Sequence, residues 1–137
     1  MQEEAIEKLR KEIEASGEID KYIDAEEEEA IYSKADSLGI CSTQVESMLN
    51  LMCRDGGWQR ELEIRDDLYD ILRETTSDDG AIDQKEWEHC INYAVSMKMP
   101  RKRAMHLGVK FVRDNRLTVK KRIFGPDWFK PLSEHYS

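Results

Sequence analysis

Laid against itself with an offset of 59 residues and no gap, the chain pairs Asp20 with Asp79, Ile23 with Ile82, Asp24 with Asp83, Glu27 with Glu86 and Glu29 with Glu88. The same frame continues through Ala35 and Ala94, Ser37 and Ser96, Leu38 and Met97, and Ile40 and Met99. It carries an acidic turn together with the apolar positions of the helix that follows. The spacing is longer than the roughly 20–50-residue period of solenoid repeats. A structural unit used twice is therefore expected, with halves at about 18–57 and 77–116 related by an internal pseudo-twofold.

Within each half the apolar residues recur at helical spacing. Ile6, Leu9 and Ile13 mark one stripe over residues 3–15, which Ser16-Gly17 ends. Ala30, Ile31, Ala35 and Leu38 mark a second over 25–38, with Glu26 to Glu29 in its first turn, where the helix dipole favours anions, and Gly39 at its C-terminal cap. Thr43 with Glu46 has capping-box spacing ahead of Val45, Met48, Leu49 and Met52, and Asp55-Gly56-Gly57 breaks that helix. A longer helix is predicted from Trp58 to about Glu74, then one from about Gln84 to Met97 stopped by Pro100, then one over Arg101–Asp114 that buries Ala104, Leu107 and Phe111 and sets Gly108 against a close neighbour. Beyond it, 117–137 reads as a basic, aromatic segment with one short helix, docked by its aromatics. No stretch alternates well enough for a strand. The expected fold is all-α: a single-domain bundle of six to seven helices over 1–116 with the segment 117–137 packed on it.

At 36% charged and 39% hydrophobic residues, each helix has one stripe to bury and a face to solvate. No run of about 18 apolar residues is present, and the start MQEEAIEKLRKEIE is neither basic nor apolar, so a soluble, cytoplasmic protein without a transmembrane segment is expected. Cys41, Cys53 and Cys90 are odd in number and lack Cys-x-x-Cys spacing, which indicates neither a disulfide framework nor a thiolate metal site. The net charge of −8 hides an asymmetry. Residues 1–97 hold 10 Lys+Arg against 26 Asp+Glu, and residues 98–137 hold 11 against 3. The two regions either pair with each other or face different partners.

The acidic turns have a purely structural reading. In Asp24-x-x-Glu27 and Asp83-x-x-Glu86 the first carboxylate suits the backbone N–H three residues on, and the second suits the N–H of the first. Asp78 and Asp79 lie outside that reading, and unpaired carboxylates invite a hard cation such as Ca²⁺. With Gly80 at the sixth position of the calcium-loop pattern, Asp79, Asp83 and Glu86 fall at the fifth, ninth and twelfth, but Thr75 and Ser77 occupy the first and third. In the earlier copy Lys21 stands where the glycine belongs. A degenerate EF-hand-like calcium sensor is thus one alternative.

Asp79-Gly80-x-Ile82-Asp83-x-x-Glu86 followed by Ala94-x-Ser96-Met97-x-Met99 resembles the turn and helix ending of the TerB-like family of tellurite-resistance proteins, and Ala35-x-Ser37-Leu38-Gly39-Ile40 resembles that ending more closely still. The resemblance covers about Glu18 to Asp114. It implies an all-helical bundle and a non-enzymatic acidic module that binds Ca²⁺ or another divalent cation weakly and docks to protein partners in a stress- or membrane-associated complex. The metal role would pass to Asp20, Asp24 and Glu27 in one copy and to Asp79, Asp83 and Glu86 in the other. Lys21 leaves the first of these to a lysine ammonium or to nothing, so the second is expected to be the stronger. Lys98 replaces the glycine after the second helix.

A further alternative is an adaptor that uses its basic C-terminus. Arg101, Lys102, Arg103, Lys120, Lys121 and Arg122, with Trp128 nearby, suit an acidic partner, nucleic acid or an anionic membrane surface. Catalysis is not expected: His89, His106 and His135 have no metalloprotease spacing, and no phosphate-cradling glycine loop is present.

Overall fold

The structure, a computed structural model, describes residues 2–136. Among them are seven helices: α1 (Gln2–Gly17), α2 (Ala25–Ser37), α3 (Ser42–Gly56), α4 (Glu61–Thr76), α5 (Gln84–Ser96), α6 (Arg101–Asp114) and α7 (Lys130–Tyr136). The chain is all-α in class, as its apolar stripes predict. It divides into two compact units, residues 1–62 and 63–137. No helix among the described residues is long and apolar enough to cross a membrane.

Four strands were not expected: β1 (Tyr22–Ile23), β2 (Gln59–Arg60), β3 (Ala81–Ile82) and β4 (Thr118–Val119). β1 pairs with β2 and β3 with β4, both in parallel. Two residues are too few to show alternation, which is why the sequence gives no sign of them. The pairings do structural work all the same, because Gln59 donates to the Lys21 carbonyl at 2.8 Å, and Thr118 and Lys120 donate to the carbonyls of Gly80 and Ile82 at 2.9 and 2.8 Å. Each acidic turn is thereby tied to the segment that follows the third helix of its set. The predicted helix from Trp58 is corrected: the Trp58 N–H bonds to the Cys53 carbonyl at the end of α3, Gln59 and Arg60 are drawn into the pairing, and α4 starts at Glu61. Trp58 instead lies between Gly17 and Gly56, where a Cβ would come within 2.4 and 2.6 Å of its ring.

Every element from α1 to β2 has one beginning 59 residues on, as α2 (25–37) and α5 (84–96) illustrate. The cores follow the same offset. In the first unit Leu9, Ile13, Ile23, Ile31, Ala35, Ile40, Val45, Leu49 and Cys53 form one buried cluster. At the shifted positions Leu68, Leu72, Ile82, Cys90, Ala94, Met99, Ala104, Gly108 and Val112 are all buried as well.

Helix ends are closed by local chemistry. Gly39 (φ +75°) follows the C-cap Leu38, with Ile40 donating to the Ala35 carbonyl at 2.9 Å and Gly39 to Asp36 at 3.1 Å, the paired bonds of a Schellman ending. α5 ends the same way, with Met99 bonded to Ala94, although Lys98 holds the left-handed position at φ +77°. The capping box expected at Thr43 and Glu46 does not form: Cys41 is the N-cap of α3 without a side-chain bond, and Glu46 is engaged elsewhere.

Candidate functional site

The carboxylates singled out by the repeat lie at the two turns, and most are turned toward backbone. At the first, Asp24 accepts from the Glu27 N–H at 2.7 Å and Glu27 accepts from the Asp24 N–H at 3.0 Å. At the second, Asp83 accepts from Glu86 at 2.8 Å and Glu86 from Asp83 at 3.0 Å. Both are complete capping boxes. Asp20 and Asp79 occupy equivalent places, each accepting at 3.1 Å from the N–H two residues on, that of Tyr22 or Ala81.

The turns differ in what reaches them from the residue just after β2 or β4. At the first it is Glu61, buried, whose carboxylate accepts from the Tyr22 hydroxyl at 3.1 Å and from the Ala25 N–H at 2.8 Å. At the second the residue 59 positions later is Lys120, whose ammonium lies 2.9 Å from Asp79 Oδ2. Electrostatics follow. Burial, then the neighbouring charges of Asp24 and Asp20, push the Glu27 carboxyl up. Lys120, helped by the Ala81 N–H, holds the Asp79 carboxyl below its ordinary value, and Asp79 in turn raises Lys120. The Lys120 ammonium thus sits at the second turn, and the first has a fourth carboxylate nearby. Glu61 escaped the sequence reading because it looks like an exposed residue of a helix start; its offset partner Lys120, opposite in charge, was the available signal.

The fit of these groups to a divalent ion is poor as they stand. Ca²⁺ takes six to eight oxygens, whereas the described residues include no group of three or more His, Cys, Asp or Glu side chains placed to hold a metal. One carboxylate oxygen of each capping residue is already aimed at an amide.

Lys21 adopts φ +59° where the second turn has Gly80 at +63°. A left-handed non-glycine costs roughly 1–2 kcal/mol, offset in part by the greater unfolded-state freedom of glycine. Lys21→Gly is expected to stabilise the protein by about 0.5–1 kcal/mol, seen as a higher urea midpoint at unchanged slope. A midpoint that stays or falls would show that the lysine is not strained there.

Of the basic residues proposed from sequence, Arg101, Lys102 and Arg103 open α6, where Arg101 donates to Asn92 at 3.1 Å. They are separate in chain and element from Lys120, Lys121 and Arg122, which lead out of β4 into an exposed loop. The base of that loop is pinned. The Lys120 N–H bonds to Ile82, its ammonium pairs with Asp79, and Trp128 Nε1 donates to the Lys120 carbonyl at 2.9 Å. Trp128, tilted, and Phe129, edge-on, pack against the buried Trp87 at centroid distances of 6.1 and 5.7 Å. These ring contacts hold Trp128 and Phe129 against α5. At the tip, Ile123 and Phe124 are 92% and 87% exposed.

A scan against protein-family models, a search of curated proteins and a search of solved structures each returned no match.

Proposed function

We propose that this chain is a non-enzymatic docking module of TerB-like organisation, a duplicated helical unit whose acidic turns close helices and whose pinned basic loop makes the functional contact. One observation carries the reading: a loop held at its base by three separate interactions presents two large apolar side chains to solvent next to Lys121 and Arg122. Scattered exposed apolar residues are ordinary, but an adjacent apolar pair flanked by cations on an anchored loop is suited to an anionic partner. The balance of charge agrees. Residues 1–62 hold 7 Lys+Arg against 16 Asp+Glu, and residues 63–137 hold 14 against 13, so the loop belongs to the unit that does not repel anions overall. Salt-sensitive retention on heparin at about 50 mM salt is expected, and its loss in Lys121→Glu/Arg122→Glu with an unchanged melting temperature. Retention that is equal in the variant, or absent in both, would overturn the reading.

A second reading is supported by Glu61. With this carboxylate near the first turn and Lys120 neutralising the second, a divalent cation would bind weakly and by preference at the first turn. Calcium at about 1 mM is then expected to move the amide resonances of Asp20 to Glu27 more than those of Asp79 to Glu86, with Lys120→Gln increasing the response of the second turn. An absence of shifts at both turns would remove the metal from the account.

A further inference from the structure

The loop that presents Ile123 and Phe124 borders a cleft of about 240 Å³ between the start of α5 and the end of β4, and the chemistry of the two together is narrower than that of a general anion site. Lys85, Lys120, Lys121 and Arg122 line the cleft, with Trp128 as an aromatic wall and Asp83 as its one carboxylate. The Asp83 carboxylate is turned toward the Glu86 N–H, which it caps. Lys120 is committed to Asp79, and Lys121 is 3.5 Å from Asp127. Lys85 and Arg122 have no ion pair among the described residues, which leaves two unneutralised cations facing one small concavity.

A phosphomonoester carries close to two negative charges at neutral pH, so two unpaired cations match it in number, and a guanidinium adds a fork suited to phosphate oxygens. The apolar pair beside the cleft selects among phosphate-bearing partners. Ile123 and Phe124 protrude, and a protein partner would need a pocket shaped for both, whereas the headgroup and upper acyl layer of a bilayer accepts a protruding apolar pair without a preformed shape. Cations level with the headgroups add attraction to an anionic leaflet, and a tryptophan wall suits the same depth.

We propose that Lys85, Arg122 and the 120–124 loop form a docking site for a membrane lipid with a phosphorylated headgroup, with the phosphate in the cleft and Ile123 and Phe124 inserted among the acyl chains. The inference rests on the docking reading above and names the partner of the same loop.

Sedimentation of the full chain with vesicles tests it at about 0.15 M salt, where surface electrostatics alone are screened within about 8 Å. Three compositions separate the contributions: phosphatidylcholine alone, phosphatidylcholine with phosphatidylserine, and phosphatidylcholine with a few per cent of a bisphosphorylated phosphatidylinositol. Binding to the third is expected to exceed binding to the first by about tenfold or more, and Ile123→Ser/Phe124→Ser and Lys85→Gln/Arg122→Gln are each expected to weaken it about tenfold while leaving the melting temperature unchanged. Trp128→Phe serves as a second route, since insertion should blue-shift the fluorescence component that this substitution removes. Equal sedimentation of the Ile123/Phe124 variant overturns insertion. Equal sedimentation of the Lys85/Arg122 variant overturns the headgroup site. Retention on heparin or on an RNA oligonucleotide without vesicle binding overturns the membrane and leaves the docking reading standing, and binding to none of these overturns both.

Discussion

Replacing Arg60 by alanine is expected to cost about 3–5 kcal/mol, more than any change at the acidic turns, because it strands a buried carboxylate. Arg60 and Glu28 each have side chains only 5% exposed, and their charged atoms meet at 2.7 Å. Around them Arg60 also donates to Glu46 at 2.9 Å and to Asn50 at 2.8 Å, and the Tyr32 hydroxyl bonds to Glu46. The network joins α2, α3 and β2 in one unit. Burial works against the guanidinium charge, but the bonds to Glu46 and Glu28 outweigh it and raise its pKa. Burial and the bond to Glu46 push the Tyr32 phenol up to about 12. At the shifted positions the second unit has Trp87, Ile91, Met105, Val109 and Val119 in place of Glu28, Tyr32, Glu46, Asn50 and Arg60. One frame thus accommodates a polar or an apolar filling. Arg60→Met with Glu28→Met is accordingly expected to recover most of the loss, since replacing a whole buried pair by apolar groups is often neutral or better. Urea unfolding of the single and double variants checks this. A loss below about 1 kcal/mol in Arg60→Ala would mean that water reaches Glu28. The bonds to Arg60 and Tyr32 hold the Glu46 carboxyl below its ordinary value of 4.5. A depressed carboxyl contributes stability that is complete above its unfolded pKa, so the Glu46 share should be lost only as pH falls below 4.5 and through the lowered value.

The second large effect belongs to Trp87, 2% exposed and the apolar counterpart of Glu28. Its ring packs against α6 at Gly108, where a Cβ would lie 2.6 Å from Cη2, and on its other contacts against Trp128 and Phe129. Trp87→Ala is expected to cost about 3–5 kcal/mol and to release the segment that follows the basic loop, made visible as faster proteolysis near residue 128. Gly108→Ala should destabilise the wild type by about 1–3 kcal/mol through overcrowding, yet improve the Trp87→Ala protein by filling part of its cavity. That opposite sign is a double-mutant-cycle signature of direct contact. Two additive losses would place the tryptophan elsewhere.

What could be read in the sequence was local. The capping boxes at Asp24 and Asp83 need only residues three apart, and the Schellman ending at Gly39 needs one glycine beyond an apolar stripe, so both were legible. The contacts of Trp128 and Phe129 with Trp87 join large aromatics, which sequence composition alone marks as candidates for burial. What escaped depends on contacts distant along the chain. The Arg60–Glu28 pair spans 32 residues, and it draws Glu46 away from the capping box that its spacing with Thr43 suggests. The two-residue parallel pairings have no periodicity to detect, and they hold Gln59 and Arg60 outside any helix. For the candidate sites, the residues at the turns were found but not their relative electrostatics, which depend on Glu61 and Lys120 arriving from the neighbouring segment. The 59-residue offset carries that information: Glu61 corresponds to Lys120, and the charged residues around Arg60 correspond to apolar ones.

The carboxylates of the acidic turns are oriented by backbone amides and act as helix caps. Amide hydrogen exchange at Glu27 and Glu86 in protein treated with a chelator measures this directly. Both amides donate to the carboxylate three residues earlier, so they should exchange slowly in the chelated protein, and faster at Glu27 in Asp24→Ala and at Glu86 in Asp83→Ala. Fast exchange at both amides in the chelated wild type, with protection restored only by added calcium, would contradict the claim.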